Sequence, residues 1–358
     1  MAMVSASPPK LLVIRRRYLG DIVVLAPLLR NLRLHWPHAR LHLLCDLAYA
    51  EAAALHPDLD QVLYFPRSAW EWPGFLRRLR RERFTHVLDI DNRDKTALFT
   101  LLSAAPERLT LQRDHPKFPL RHGWVYTRRI PISREWHDSH HITDIYHQFL
   151  PPLGVPIVVE HAPLRVDEAE RARMQRLVGG ASPRAKVVVH PGSRSAYRLW
   201  PAERFAAACD RLQDELDAQV FLVGGPGEQA IIRQIRERAM SHLVTIEERL
   251  SVAQLAALFA QFDVLLAHDS GPMHVAAGVG TRVVALYGSQ NATIWRPVGD
   301  GHVVLQTELP CPCFPPGALP GPCQKHDSYF SYCVRQIDVQ TVFDAVVRVL
   351  QSRRARLP

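Results

Sequence analysis

At 358 residues, with 47% hydrophobic and 22% charged residues, the chain is long enough for two globular domains, each with a core of its own. No run of 18 apolar residues occurs, which excludes a membrane-spanning helix, and MAMVSASPPK has no apolar leader core, so the reading is cytoplasmic. The net charge of +9 is uneven: residues 1–150 hold 22 Lys+Arg against 15 Asp+Glu, a net of +7, and the rest adds +2. A basic first half implies either an anionic partner or a plain solvated surface; no nucleic-acid-binding module is recognisable, so nucleic acid is not expected.

In chain order, KLLVIR (10–15) reads as a strand and RRYLG as a turn. A helix is expected from Asp21 to about His35, with Ile22, Leu25, Leu28, Leu29 and Leu32 at helical spacing. Strands at 41–44, 62–65 and 86–90 then alternate with helices at 47–55, 70–83 and 95–104. Such alternation predicts a parallel sheet covered on both faces. Residues 114–136 show no pattern, a helix is expected over 138–150, and Pro151-Pro152-Leu153-Gly154-Val155-Pro156 marks the domain boundary. The division expected is 1–153, 154–337 and a terminal segment 338–358 that returns to the first domain.

The second half repeats the architecture. A helix is expected at 168–177, a strand at 186–190 ending in His190-Pro191-Gly192-Ser193, and a helix at 202–215. A strand at 220–223 leads to the turn Gly224-Gly225-Pro226-Gly227 and a helix from Glu228; another opens at a Ser251 cap. Residues 264–267 read as a buried strand, Asp269-Ser270-Gly271-Pro272 as a helix start, 273–278 as a short helix closed by Gly280, and 283–287 as the next strand. Asp269 either caps that helix or faces a ligand, and unpaired N–H groups at such an N-terminus favour phosphate. A Pro- and Cys-rich loop and a helix over 338–350 follow.

The segment DSGPMHVAAGVGTRVVALYGS resembles the D-[ST]-G-x-x-H-x-A-A motif of glycosyltransferase family 9, the lipopolysaccharide heptosyltransferases, and LVIRRRYLGDIVVLAPLLRNLR resembles that family's opening. The resemblance implies the GT-B fold: α/β, two Rossmann-like parallel-sheet domains facing a cleft. It implies an inverting transfer of a heptose from ADP-L-glycero-D-manno-heptose to an acidic or phosphorylated inner-core sugar on lipid, at the anionic inner leaflet. The acid of the Gly20-Asp21 pair would be the base, since a sugar hydroxyl attacks poorly unless its proton leaves as the bond forms. As a residue type Asp21 is equally suited to capping its helix. Arg15, Arg16 and Arg17 would lie against the acidic acceptor.

For the donor, the resemblance implies Asp269, Ser270, Gly271 and His274, with Ser193 in the turn after the strand at 186–190, Glu228 toward the ribose and Leu250 bordering the adenine. Arg198-Leu199-Trp200 stands where the family has Lys-x-Trp; Arg keeps the charge and can bind phosphate bidentately, but with a different reach. No divalent cation is needed if Arg198 and the helix N-terminus carry the leaving-group charge. Cys311, Cys313, Cys323 and Cys333 form C-x-C-x9-C-x9-C, readable as a structural Zn or Fe site or as free thiols. His137, His140, His141 and His147 read as packing and surface residues, and Arg77 to Arg83 as a solvated or headgroup-touching helix face. A nucleotide-sugar epimerase on the same fold would need its own acid/base set in the cleft, whereas a non-catalytic nucleotide-binding or assembly protein would keep the Asp269 segment without needing Asp21.

Overall fold

The computed structural model describes residues 8–114, 119–180, 182–194, 198–288, 290–306 and 332–354. The chain divides into two compact units, Met1–Leu164 and Arg165–Pro358. The first holds β1 (Lys10–Ile14), β2 (Arg40–Cys45), β3 (Gln61–Tyr64), β4 (His86–Asp89), β5 (Glu107–Arg113) and β6 (Arg128–Ile132), all parallel, in the spatial order β3-β2-β1-β4-β5-β6. Leu11 to Ile14 are wholly buried, as expected of a central parallel strand covered on both faces. Strand order reverses between β1 and β4, where Ile14 stands opposite Asp89. Ligands of such sheets bind beyond the strand carboxyl ends at that reversal.

The second unit repeats the plan with β7 (Lys186–His190), β8 (Gln219–Val223), β9 (Val244–Ile246), β10 (Val264–His268), β11 (Arg282–Tyr287) and β12 (Val303–Gln306), in the order β12-β11-β10-β7-β8-β9. Its reversal lies between β7 and β10, where His190 stands opposite Ala267. Both central strands are buried along their whole length.

Several expected elements are subdivided. The helix expected from Asp21 to His35 is two, Leu19–Val23 and Ala26–His35, with Pro27 in the first turn of the second, where its missing N–H costs nothing. The helix expected over 138–150 is also two, Arg134–Ser139 and Ile142–His147, and the His141 ring accepts the Thr143 N–H at the second start. His147 is buried beside Asn31 and His140 stacks on Trp136 at 4.0 Å, so these histidines pack. On Trp72–Arg81 the apolar Trp72, Phe75, Leu76 and Leu79 join the core around Phe99, and Arg77, Arg78, Arg80 and Arg81 face solvent.

The unit boundary falls beyond the proline run. Asn31, 1% exposed, donates to Val159 O at 2.8 Å and accepts the Val158 and Val159 N–H groups at 2.7 and 3.0 Å, tying that stretch to the first unit. The expectation that the terminal segment packs on the first domain is corrected. The helix Val339–Arg354 buries Val342, Phe343, Val346 and Val349 in the second unit's core with Trp200, Phe205 and Leu212, because that sheet's apolar face needs a cover. Cys311, Cys313 and Cys323 lie outside the described residues, and Cys333 lies in the helix Tyr332–Gln336. No group of three His, Cys, Asp or Glu among the described residues could hold a metal.

Candidate functional site

In the second unit the site residues gather at the β7/β10 reversal. β10 delivers Asp269, 7% exposed, whose carboxylate accepts from Arg198 Nη1 at 2.9 Å. The next residue, Ser270, is the extended N-cap of the helix Gly271–Gly278 but makes no side-chain cap bond. Asp269 pairs with Arg198, and the amide groups of that helix start present the positive end of a dipole. The helix closes as the sequence implies: Gly280, at φ +86°, donates to Ala277 O at 3.0 Å and Thr281 N–H reaches Ala276 O at 3.0 Å, the crossed pair of bonds that favours glycine. His274 is buried on this helix with its ring edge-on to Trp295, centroids 6.4 Å apart.

β7 ends in His190, whose Nε2 lies 3.2 Å from Glu228 Oε2; the same oxygen accepts the Gly225 N–H at 2.6 Å. Burial pushes the Glu228 carboxyl up, but the His190 ring and the Gly225 N–H outweigh it and hold the pKa below the usual range. The fit needs glycine at 192, where a Cβ would lie 1.7 Å from Glu228 Oε1. A cavity of about 460 Å³ is lined by Ser193 and Glu228 together with Trp200 and Arg335. Arg198, Leu250, Asp269, Ser270, Gly271 and His274 are not among its lining residues. Leu250 is half-buried in the turn before the Ser251 cap.

In the first unit Asp21, 9% exposed, lies in the helix Leu19–Val23 that follows β1. One carboxylate oxygen is bonded by Arg15 Nη2 and the other accepts the Tyr18 N–H at 2.9 Å, so Asp21 is the third-residue acid of a capping box whose N-cap is Tyr18. Arg15 Nη1 also donates to Asp91 Oδ1 at 2.6 Å, just past β4. Burial opposes the Arg15 charge, but Tyr146, Asp21 and Asp91 raise its pKa well above the ordinary value. Arg16 Nε donates to Asp46 Oδ1 at 2.9 Å, and Arg17, half in solvent, lies 3.5 Å from Asp46 Oδ2. Each of the three arginines expected at the acceptor therefore already faces a carboxylate.

A family model described as glycosyltransferase family 9 (heptosyltransferase) matches residues 73–317, more than half of the chain. The chain belongs to glycosyltransferase family 9. Lipopolysaccharide heptosyltransferase 3 of Escherichia coli is 21% identical over 300 residues, covering 80% of this chain and 86% of that protein. A solved family 9 glycosyl transferase from Veillonella parvula superposes with a TM-score of 0.80 at 20% identity, covering 98% of this chain and 99% of that one. The E. coli ADP-heptose lps heptosyltransferase II gives 0.76 at 19% identity, covering 96% and 99%. The fold is GT-B, and this family 9 member is a glycosyltransferase.

Three polar residues of this glycosyltransferase escaped the motif reading. His268, wholly buried, accepts the Trp200 N–H on Nε2 at 2.7 Å and so fixes the segment carrying Arg198. Burial pushes its pKa down to about 3, so it stays neutral. Asp89, wholly buried, accepts from Tyr126 Oη at 2.7 Å, and burial pushes its pKa up to about 6. Asp91 completes the set. The one available signal was position: each stands at or just past the end of a central strand.

Proposed function

We propose that this glycosyltransferase moves a heptose from ADP-L-glycero-D-manno-heptose, with inversion, to an acidic or phosphorylated inner-core lipopolysaccharide sugar. The reading rests above all on Asp21, a carboxylate of a family 9 chain standing at the reversal of its sheet. The acceptor oxygen attacks C1 of the heptose opposite the diphosphate, its proton passes to Asp21, and the C1–O bond breaks with its electron pair leaving on ADP. Arg198 and the amide groups opening Gly271–Gly278 meet the leaving charge, so no step needs a divalent cation. Names of relatives that act on lipopolysaccharide and use ADP-heptose support the choice of substrates.

Transfer assays with ADP-, UDP- and GDP-sugars should show turnover with ADP-heptose. ADP at about a hundred times its dissociation constant should stabilise the fold by about 2.7 kcal/mol. Asp269→Ala and His274→Ala should each shrink that stabilisation. If ADP protects both variants as well as the parent, the donor does not bind at this helix.

A lipid-linked acceptor arrives at an anionic membrane surface, and the arginine face of Trp72–Arg81 suits such headgroups. Co-sedimentation with anionic vesicles should weaken in the Arg78→Glu, Arg81→Glu double variant while ADP binding persists. Undiminished sedimentation would assign that face to solvent alone.

A further inference from the structure

Arg15 holds a carboxylate on each of its two terminal nitrogens, and only one of them, Asp21, has a role in the reaction proposed above. The other, Asp91, is not loosely placed. Its Oδ1 takes Arg15 Nη1 at 2.6 Å and its Oδ2 takes the Arg16 backbone N–H at 2.8 Å, so it grips both the side chain and the strand end. Asp89 fixes the loop that carries it, accepting the Asp91 and Asn92 N–H groups at 3.1 and 3.0 Å on one oxygen and Tyr126 Oη on the other. Side-chain exposures of 17% for Arg15, 12% for Asp21 and 10% for Asp91 leave the trio little water to screen it.

We propose that Asp91 is a positioning residue that sets the proton affinity of Asp21 by sharing Arg15 with it. The proposal rests on Asp21 being the base. A guanidinium given wholly to Asp21 would stabilise its ionised form and make it a weak proton acceptor. Shared with Asp91, the same guanidinium orients Asp21 while part of its charge is spent elsewhere, and the negative charge of Asp91 itself opposes ionisation of Asp21. Other groups also face this cluster. These are Arg113 from the end of β5, with Arg93 acting on it, the Tyr146 phenol from the helix Ile142–His147, and Asp89 at the end of β4. Asp46 holds Arg16 and Arg17, and neutral His56 and Glu51 come from the segment packed on Leu19–Val23. All remain in each variant below, so differences between variants report on the Asp91–Arg15–Asp21 chain.

The test is the pH dependence of kcat/KM in the parent, Asp21→Asn, Asp91→Asn and Arg15→Met, each with a melting curve. Rate is lost in acid as the base takes up a proton. Asp91→Asn should move the acidic limb to lower pH and reduce the plateau, because Arg15 then serves Asp21 alone and the carboxylate takes up the acceptor's proton less readily. Arg15→Met should move the limb the other way, to higher pH, by about 1–3 units. Residues that serve only to hold the fold would lower melting temperature and rate without moving the limb. An unmoved or absent acidic limb in Asp91→Asn, or shifts of the same sign in both variants, overturns the proposal. Should Asp91→Asn fail to fold, Asp91→Ser, which also removes the charge, takes its place, with the same overturning results. A near-normal rate in Asp21→Asn would instead remove the base on which the proposal stands.

Discussion

Asp21→Asn is expected to cut turnover by roughly 10²–10⁴-fold while ADP affinity stays close to that of the parent. One substitution can separate the helix-end contact of Asp21 from its proposed role as base. The bond from the Tyr18 N–H needs only an acceptor oxygen, which asparagine keeps; taking up the acceptor's proton needs a carboxylate, which asparagine lacks. Arg15 loses a charged partner but keeps Asp91, so a small drop in melting temperature is expected alongside the large loss of rate. Single-turnover transfer and a melting curve on the same preparation settle the matter. A rate near that of the parent would reduce Asp21 to a helix cap.

The second large effect is on stability. Trp200 is wholly buried; its ring meets Phe205 edge-on with centroids 4.9 Å apart, its indole donates to Ile337 O at 2.8 Å, and its N–H is held by His268. Trp200→Ala should destabilise the second unit by about 3–5 kcal/mol through the cavity it leaves. In a unit of this size that is a melting shift of roughly 6–20 °C. Trp200→Phe retains most of the ring and strands no acceptor, because Ile337 O also takes Arg204 Nη1 at 2.7 Å, so its cost should be nearer 1 kcal/mol. Equal losses in the two variants would mean that packing volume is not what Trp200 contributes. Because Trp200 follows Arg198 by two residues, donor affinity should fall with stability in the alanine variant.

How much could be read beforehand follows from where apolar residues lie. β1, β4, β7, β10 and β11 are buried on both faces and appear as short apolar runs. β6, β9 and β12 stand at sheet edges, where one side needs no apolar surface, and none was expected. β6 even carries Pro131, which an edge strand tolerates and a central one does not. β5, reading ERLTLQR, has too few apolar positions to stand out. The two acids at fixed offsets from glycine, Asp21 and Asp269, were legible because strand, turn and helix start follow one another in sequence. Their partners were less so. Asp91 meets Arg15 across 76 residues, brought there by the parallel pairing of β1 with β4, and Arg198 meets Asp269 across 71 through β7 and β10. Contacts made by strand pairing leave no local pattern.

The place of the Val339–Arg354 helix also bears on how the molecule is made. All six strands of the first sheet have been synthesised by Ile132, so that unit can close its core while the chain is still on the ribosome. The second unit also needs the helix Val339–Arg354. Its sheet begins at Lys186, yet Val342, Phe343, Val346 and Val349 cover the face formed by β10, β11 and the helix Ala202–Asp214. β11 is complete at Tyr287 and Val349 follows 62 residues later, so at about 5–20 residues per second that apolar face waits about 3–12 seconds for its cover. The nascent second unit, rather than the finished one, is where this chain is most exposed to aggregation.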